Sequence, residues 1–154
     1  MLRSLTIALA SAAVLAFAGP VHAQKAQYGT AAEARAMLDK ALAAVKADKA
    51  KAIEMFNKGE GGFKDRDLQP FCFNVSDGKI VASTTPSTLG KDIRELKDKT
   101  GKEFGKENFA AAVEGKITEI SYMFPRPGGD VPAAKISFVT GVAGLGCGVG
   151  YFKE

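Results

Sequence analysis

Histidine occurs once in this 154-residue chain, cysteine twice and tryptophan not at all, and beyond the first two dozen residues no apolar run is long enough to span a bilayer. Each scarcity removes a class of function. The one histidine, His22, falls in an N-terminal stretch with a reading of its own. Residues 1–23, MLRSLTIALASAAVLAFAGPVHA, place a single cation, Arg3, before an apolar segment from Leu5 to Ala18 and a small-residue site ending Val21-His22-Ala23. That order is a cleavable secretory signal. A membrane anchor needs roughly 20 apolar residues, and Gly19-Pro20 breaks this run first. The lack of a cysteine after Ala23 argues against a lipid-anchored form. The expected product is residues 24–154, one domain that is periplasmic or secreted and not embedded in a membrane.

Losing His22 with the signal leaves no imidazole to activate a nucleophile or complete a Cys/His metal site, so neither catalytic nor metal-binding residues are expected. No cofactor is implied and an enzyme is not expected. Charge excludes nucleic acid as a natural partner: without Arg3 there remain 20 Lys and Arg against 17 Asp and Glu, scattered along the chain. Cys72 and Cys147 are an even pair bound for an oxidising compartment, where one disulfide is expected. Buried free thiols are the alternative. Closing so long a loop would stabilise the fold by about 4 to 5 kcal/mol in the chain-entropy model.

Thr30 followed by Glu33 has the spacing of a capping box, and Leu38, Ala41, Leu42 and Val45 recur at helical spacing after it. A long helix is expected there, re-capped at Asp48, carried on by Ala52, Ile53 and Phe56, and ended by Gly59, Gly61 and Gly62. Phe71 to Val75, the turn Ser76-Asp77-Gly78 and Lys79 to Ser83 read as a hairpin. A short helical turn follows around Ile93 and Leu96, then a helix from Glu103 to Glu114. Strands are expected at Lys116 to Phe124, Ala134 to Thr140 and Cys147 to Phe152. This order of elements implies an α+β domain with a mainly antiparallel sheet. The glycines from Gly144 to Gly150 lack the spacing and following helix of a phosphate loop, and read instead as places where a neighbour packs closely on the last strand. Asp65, Asp67 and Asp77 are too few for a calcium loop.

Six runs, taken in order, resemble the single Cache domain family: FNKGEGGFKDRDL with Pro70-Phe71, SDGKIVAS, LGKDIRELKDKTGKEF, SYMFPRP, KISFV and GVGYF. The resemblance covers most of residues 24–154 and includes Asp98 with Gly101. It implies a PAS-like five-stranded sheet behind a long N-terminal helix, and an extracytoplasmic pocket for small ligands. Members of the family commonly pass their signal to an attached module. This chain stops at Glu154, so its output is expected to run through an unknown receptor or transporter partner. Cys147 departs from the family, whose last strand more often carries an aromatic or aliphatic residue nearby.

The candidate ligand-binding residues are Phe71, Phe73 and Phe124 as apolar walls, Tyr122 as a hydroxyl and Lys135 as a cation. The three phenylalanines also read as plain core, the commoner role of such residues. Lys135 interrupts an apolar strand, which puts it either at a solvated edge or facing an anion. A short organic acid is the expected ligand class. The rival function is a ligand-free module that docks a protein partner.

Overall fold

The computed structural model describes residues 26–153, so the signal read at residues 1–23 lies outside the described residues. Helix α1, Ala31–Ala47, starts where the sequence marks it: Thr30 accepts from the Glu33 backbone N–H, and the Glu33 carboxylate accepts from Thr30 in return. Asp48 ends α1 and caps α2, Lys49–Lys58, by accepting from Lys51. The apolar stripe thus runs over two helices bent at one aspartate. Gly59, in the left-handed conformation, closes α2.

Five strands follow: β1 Pro70–Asn74, β2 Ile80–Ala82, β3 Thr118–Pro125, β4 Pro132–Val142 and β5 Leu145–Phe152. They form one sheet in the order β2-β1-β5-β4-β3, and every pairing is antiparallel. The connection from β2 to β3 carries two 3-10 turns, Pro86–Thr88 and Ile93–Glu95, and helix α3, Phe104–Ala110. The sequence predicts α3 to run on to Glu114, but the chain leaves the helix at Ala111 because its next groups are claimed by the sheet. The Val113 carbonyl accepts from the Gly141 N–H and the Thr140 hydroxyl. The last strand also begins earlier than expected, at Leu145, so most of the glycine run is sheet.

Strand β5 lies in the middle and is buried on both sides. Its odd residues Leu145, Cys147 and Val149 face α1 and α2, packing with Leu38, Val45 and Phe56 in the main core. Its even residues are Gly146, Gly148, Gly150 and Phe152, and large side chains of neighbouring strands lie over the three glycines: Phe73 on Gly146, Phe71 on Gly148, and Lys135 with Ser137 on Gly150. A Cβ at any of the three would collide with those side chains. This is the close approach that the glycine run suggests in sequence, repeated along one face.

Cys72 and Cys147 are directly opposed in the β1–β5 ladder at disulfide distance, with Cα atoms 4.2 Å apart and both residues fully buried. The two ends of the described segment are tied down at the rim of the sheet. Arg66 donates to the Ala26 and Tyr28 carbonyls and pairs with Glu33, while the Arg126 guanidinium sits over the rings of Tyr28 and Phe152, at 4.2 and 4.9 Å from their centroids.

Two stability measurements follow. Replacing both Cys72 and Cys147 by alanine is expected to lower the unfolding free energy by about 2 to 5 kcal/mol, since the bond closes a loop spanning 75 residues. Denaturant titration of the parent under oxidising and reducing conditions checks it, and equal midpoints would show that the bond contributes nothing. The two-residue β4–β5 turn places Ala143 at φ 47° and Gly144 at φ 80°, both positive as a type I′ turn requires. Alanine resists that conformation by roughly 1 to 2 kcal/mol. Ala143→Asn is therefore expected to raise stability by about 0.5 to 1 kcal/mol, read as a higher urea midpoint.

Candidate functional site

The face of the sheet opposite α1 is only partly filled. Between it and the β2–β3 connection lies a cavity of about 60 Å³, room for about four to six water-sized groups. Its floor is Gly150 with the aromatic rings of Phe71, Tyr122 and Phe124. Its roof is Ile93, Leu96, Phe104 and Asn108, and Ser83 to Thr85 with Thr88 make the lip. Thr84 is the exposed member of this set and marks the mouth.

Register explains why these residues meet. Tyr122 on β3 pairs with Lys135 on β4, and Ser137, two residues along, pairs with Gly150 on β5. Side chains directly opposite in a ladder share a face, and a two-residue step keeps it. The bare position at Gly150 lets three polar groups converge above it: a Cβ built there would lie 2.6 Å from Ser137 Oγ, 2.7 Å from Lys135 Cε and 3.4 Å from the Tyr122 hydroxyl.

Lys135 is 7 % exposed. Its Nζ sits over the rings of Phe124 and Phe152, at 5.1 and 4.7 Å from their centroids. Burial pushes the ammonium down to about 8, and the attraction of Asp67 opposes only part of that shift. No hydrogen bond or ion pair joins it to a carboxylate among the described residues. A buried cation without a partner is expensive, and a carboxylate at hydrogen-bond distance would remove most of the penalty.

Tyr122 and Ser137 form the polar counterpart. Their hydroxyl oxygens are 2.8 Å apart, so one proton joins the pair and the other is free to donate. Desolvation pushes the phenol up to about 12, which keeps it protonated at any physiological pH. The Tyr122 ring stacks on Phe104 at 4.3 Å and meets Phe124 edge-on at 6.0 Å. Strand β3 is anchored alongside by Asp98, which accepts from the Thr100 hydroxyl, the Thr100 and Lys102 N–H groups and the Met123 N–H. These bonds, the Thr100 hydroxyl foremost, hold the Asp98 carboxyl down at about 2.

Of the five residues the sequence nominates, Phe71, Tyr122, Phe124 and Lys135 wall this cavity. Phe73 does not reach it. It is fully buried and packs with Ile80, Ile93 and Phe109, so at that position the plain-core alternative describes what is seen. Sequence reasoning passed over Ser137, Gly150 and Asn108. The alternation of glycine with Cys147 and Val149 could have pointed to Gly150, whereas nothing near Asn108 in sequence signals its place on the roof.

The folded arrangement matches known proteins. Solved structures similar to this chain include the following three. The periplasmic sensor domain of a chemotaxis protein is 22 % identical, with a TM-score of 0.60 over 79 % of this chain and 88 % of that one. A methyl-accepting chemotaxis protein from Vibrio parahaemolyticus is 20 % identical, with a TM-score of 0.61 over 79 % and 86 %. A Cache chemosensory domain described for its carboxylic acid recognition is 20 % identical, with a TM-score of 0.59 over 79 % and 86 %. At these identities the likeness establishes the fold. No curated protein matches the sequence. The family model for the Cache domain matches residues 33–151, nearly the whole of the described fold, and the chain belongs to the Cache domain family.

Proposed function

We propose that this protein is an extracytoplasmic sensor domain whose cavity binds a short carboxylate, with Lys135 as the cation and the Tyr122–Ser137 pair as hydroxyl donor. The observation that carries the reading is the buried Lys135 ammonium, in hydrogen-bond contact with no carboxylate among the described residues, on the wall of a cavity made mostly of apolar side chains and hydroxyls. Apolar walls supply burial, and one placed cation supplies orientation. Supporting it from outside, one structural relative is described as recognising carboxylic acids. The volume suits a ligand of about four to six non-hydrogen atoms.

In this reading residues 1–23 direct export, residues 24–154 act in the periplasm or outside the cell, and occupancy is passed to a receptor or transporter partner. The site is built for binding rather than for turnover. Among the described residues, no helix is long and apolar enough to cross a membrane.

Calorimetry of the exported domain with acetate and propanoate tests the proposal. Lys135→Ala is expected to weaken any acid bound by the parent on the order of 100-fold, because removing one partner strands the other charge in a desolvated site. Tyr122→Phe should cost less. Circular dichroism must show both variants folded. An acid held equally well by Lys135→Ala and the parent would move the site elsewhere, and no acid binding at all would favour a protein-docking role.

Affinity should also depend on pH with a definite sign. Carboxylate contact stabilises the charged lysine, so the complex holds a proton that the empty site begins to release near pH 8. Affinity is then flat from pH 6 to about 7.5 and falls by about tenfold per unit above pH 8. A flat profile to pH 9.5 would reject the cation's role. Finally, Gly150→Ala is expected to weaken acid binding by roughly tenfold or more in a folded domain, since the added methyl occupies the space where Lys135 and Ser137 converge.

A further inference from the structure

Two buried polar atoms among the described residues have no hydrogen-bond partner: Asp67 Oδ2 and Asn108 Oδ1. The second belongs to a residue on the roof of the cavity. Asn108 is 1 % exposed, and its Nδ2 donates to the Phe104 carbonyl at 2.9 Å. That bond fixes the amide's orientation. A carbonyl can only accept, so the nitrogen must face Phe104 and the oxygen is left as the orphan. Nothing local calls for an amide here, because asparagine is a poor helix former and α3 is seven residues long. An unmet buried acceptor is destabilising, whereas leucine would fill the same apolar roof without that penalty.

The other polar groups of the lip give no comparable opening. Ser83 Oγ lies 2.6 Å from Thr88 Oγ1, and both hydroxyls reach the Thr85 carbonyl. Among its buried polar groups the cavity therefore presents two unmet demands, an anion at Lys135 and a hydrogen-bond donor at Asn108, while the amide of Gln69, less deeply buried, is held through its nitrogen by the Phe56 carbonyl.

We propose that the ligand is a short hydroxycarboxylate whose hydroxyl donates to Asn108 Oδ1 while its carboxylate meets Lys135. This rests on the carboxylate reading above and adds to it the second functional group. A hydroxyl fits better than an ammonium on the charges present. No Asp or Glu lines the cavity and the charge of Asp67 already acts on Lys135, so an amino acid would bring a second cation beside Lys135 with no lining carboxylate to pair with it. Size agrees, since 2-hydroxypropanoate has six non-hydrogen atoms, the upper end of about four to six that the space admits. Asn108 is thus the residue that sets specificity, rejecting the plain acid by leaving its own acceptor unpaired.

The test is calorimetry of the exported domain with propanoate, 2-hydroxypropanoate, 3-hydroxypropanoate and alanine. The parent should bind one of the hydroxy acids about tenfold or more tighter than propanoate. Asn108→Leu should erase that preference, so that plain and hydroxy acids bind it alike, whereas Lys135→Ala should weaken every acid. Equal affinity for plain and hydroxy acids in the parent would overturn the role of Asn108 and leave the carboxylate reading standing. So would an Asn108→Leu domain that keeps the preference, and alanine as the tightest ligand would overturn the choice of hydroxyl over ammonium. Binding of none of the four would overturn both readings. Should Asn108→Leu fail to fold, the parent's ratio and Asn108→Ala decide the matter.

Discussion

Everything in this fold is arranged around a strand that must be covered on both faces while one of them carries glycine at every position but the last. Strand β5 sits third in a five-stranded sheet and alternates glycine with Leu145, Cys147 and Val149. The side chains it has go to the helices, where Cys147 opposes Cys72 and Val149 packs with Leu38. On the other face it is bare backbone as far as Gly150, with the ring of Phe152 at its end. The rings of Phe71 and Phe73 and the stem of Lys135 lie flat on it, and a roof of 3-10 turns and α3 closes over them. Close backbone approach of this kind excludes water from the floor and brings polar groups from β3 and β4 to within hydrogen-bond reach of one another.

The consequence for chemistry is a site assembled from parts that are each costly alone. Among the described residues Lys135 has no carboxylate in hydrogen-bond contact and feels Asp67 by charge alone, Asn108 Oδ1 has no donor, and Tyr122 with Ser137 has a proton to spare. In a solvated cleft water would meet all three. In a small cavity walled by Phe71, Phe104, Phe124 and Ile93 it meets them poorly, and the cost of empty polar groups becomes affinity for whatever fills them. Selectivity follows from the same source, because a molecule that meets one demand and not the other leaves a buried group unpaired.

Local signals in the sequence were sufficient wherever the structure depends on neighbours along the chain. The Thr30–Glu33 box, the aspartate that divides α1 from α2, the Ser76-Asp77-Gly78 turn and the order of the strands could all be read, because capping, turn chemistry and alternation act over a few residues. The cysteine pair was legible from number and compartment, and the structure sets the two face to face. Non-local facts were not. Phe71 and Phe73 share a face and look alike in sequence, yet only Phe71 borders the cavity, because Ile80, Ile93 and Phe109 close over Phe73. Asn108 looked like any polar residue on an imperfect amphipathic helix. Its importance comes from what α3 covers, and α3 itself stops short because Val113 answers to a strand nearly thirty residues further on.

Phe152 is a single ring held in common by several parties. The Lys135 ammonium and the Arg126 guanidinium both rest on it, and Tyr28 meets it edge-on with centroids 6.2 Å apart. Tyr28 belongs to the segment that leads into α1, and Phe152 is the final residue of β5. The beginning and the end of the described chain are therefore fastened at one aromatic hub, and the charged corner of the cavity is fastened there too. Electrostatic relief at Lys135 acts on a ring already shared with a second cation. Mechanically, the segment leading into α1 and the end of β5 meet the lysine through one ring, so the place where a load would enter this domain and the place where a charge would enter it are separated by the width of one phenyl group.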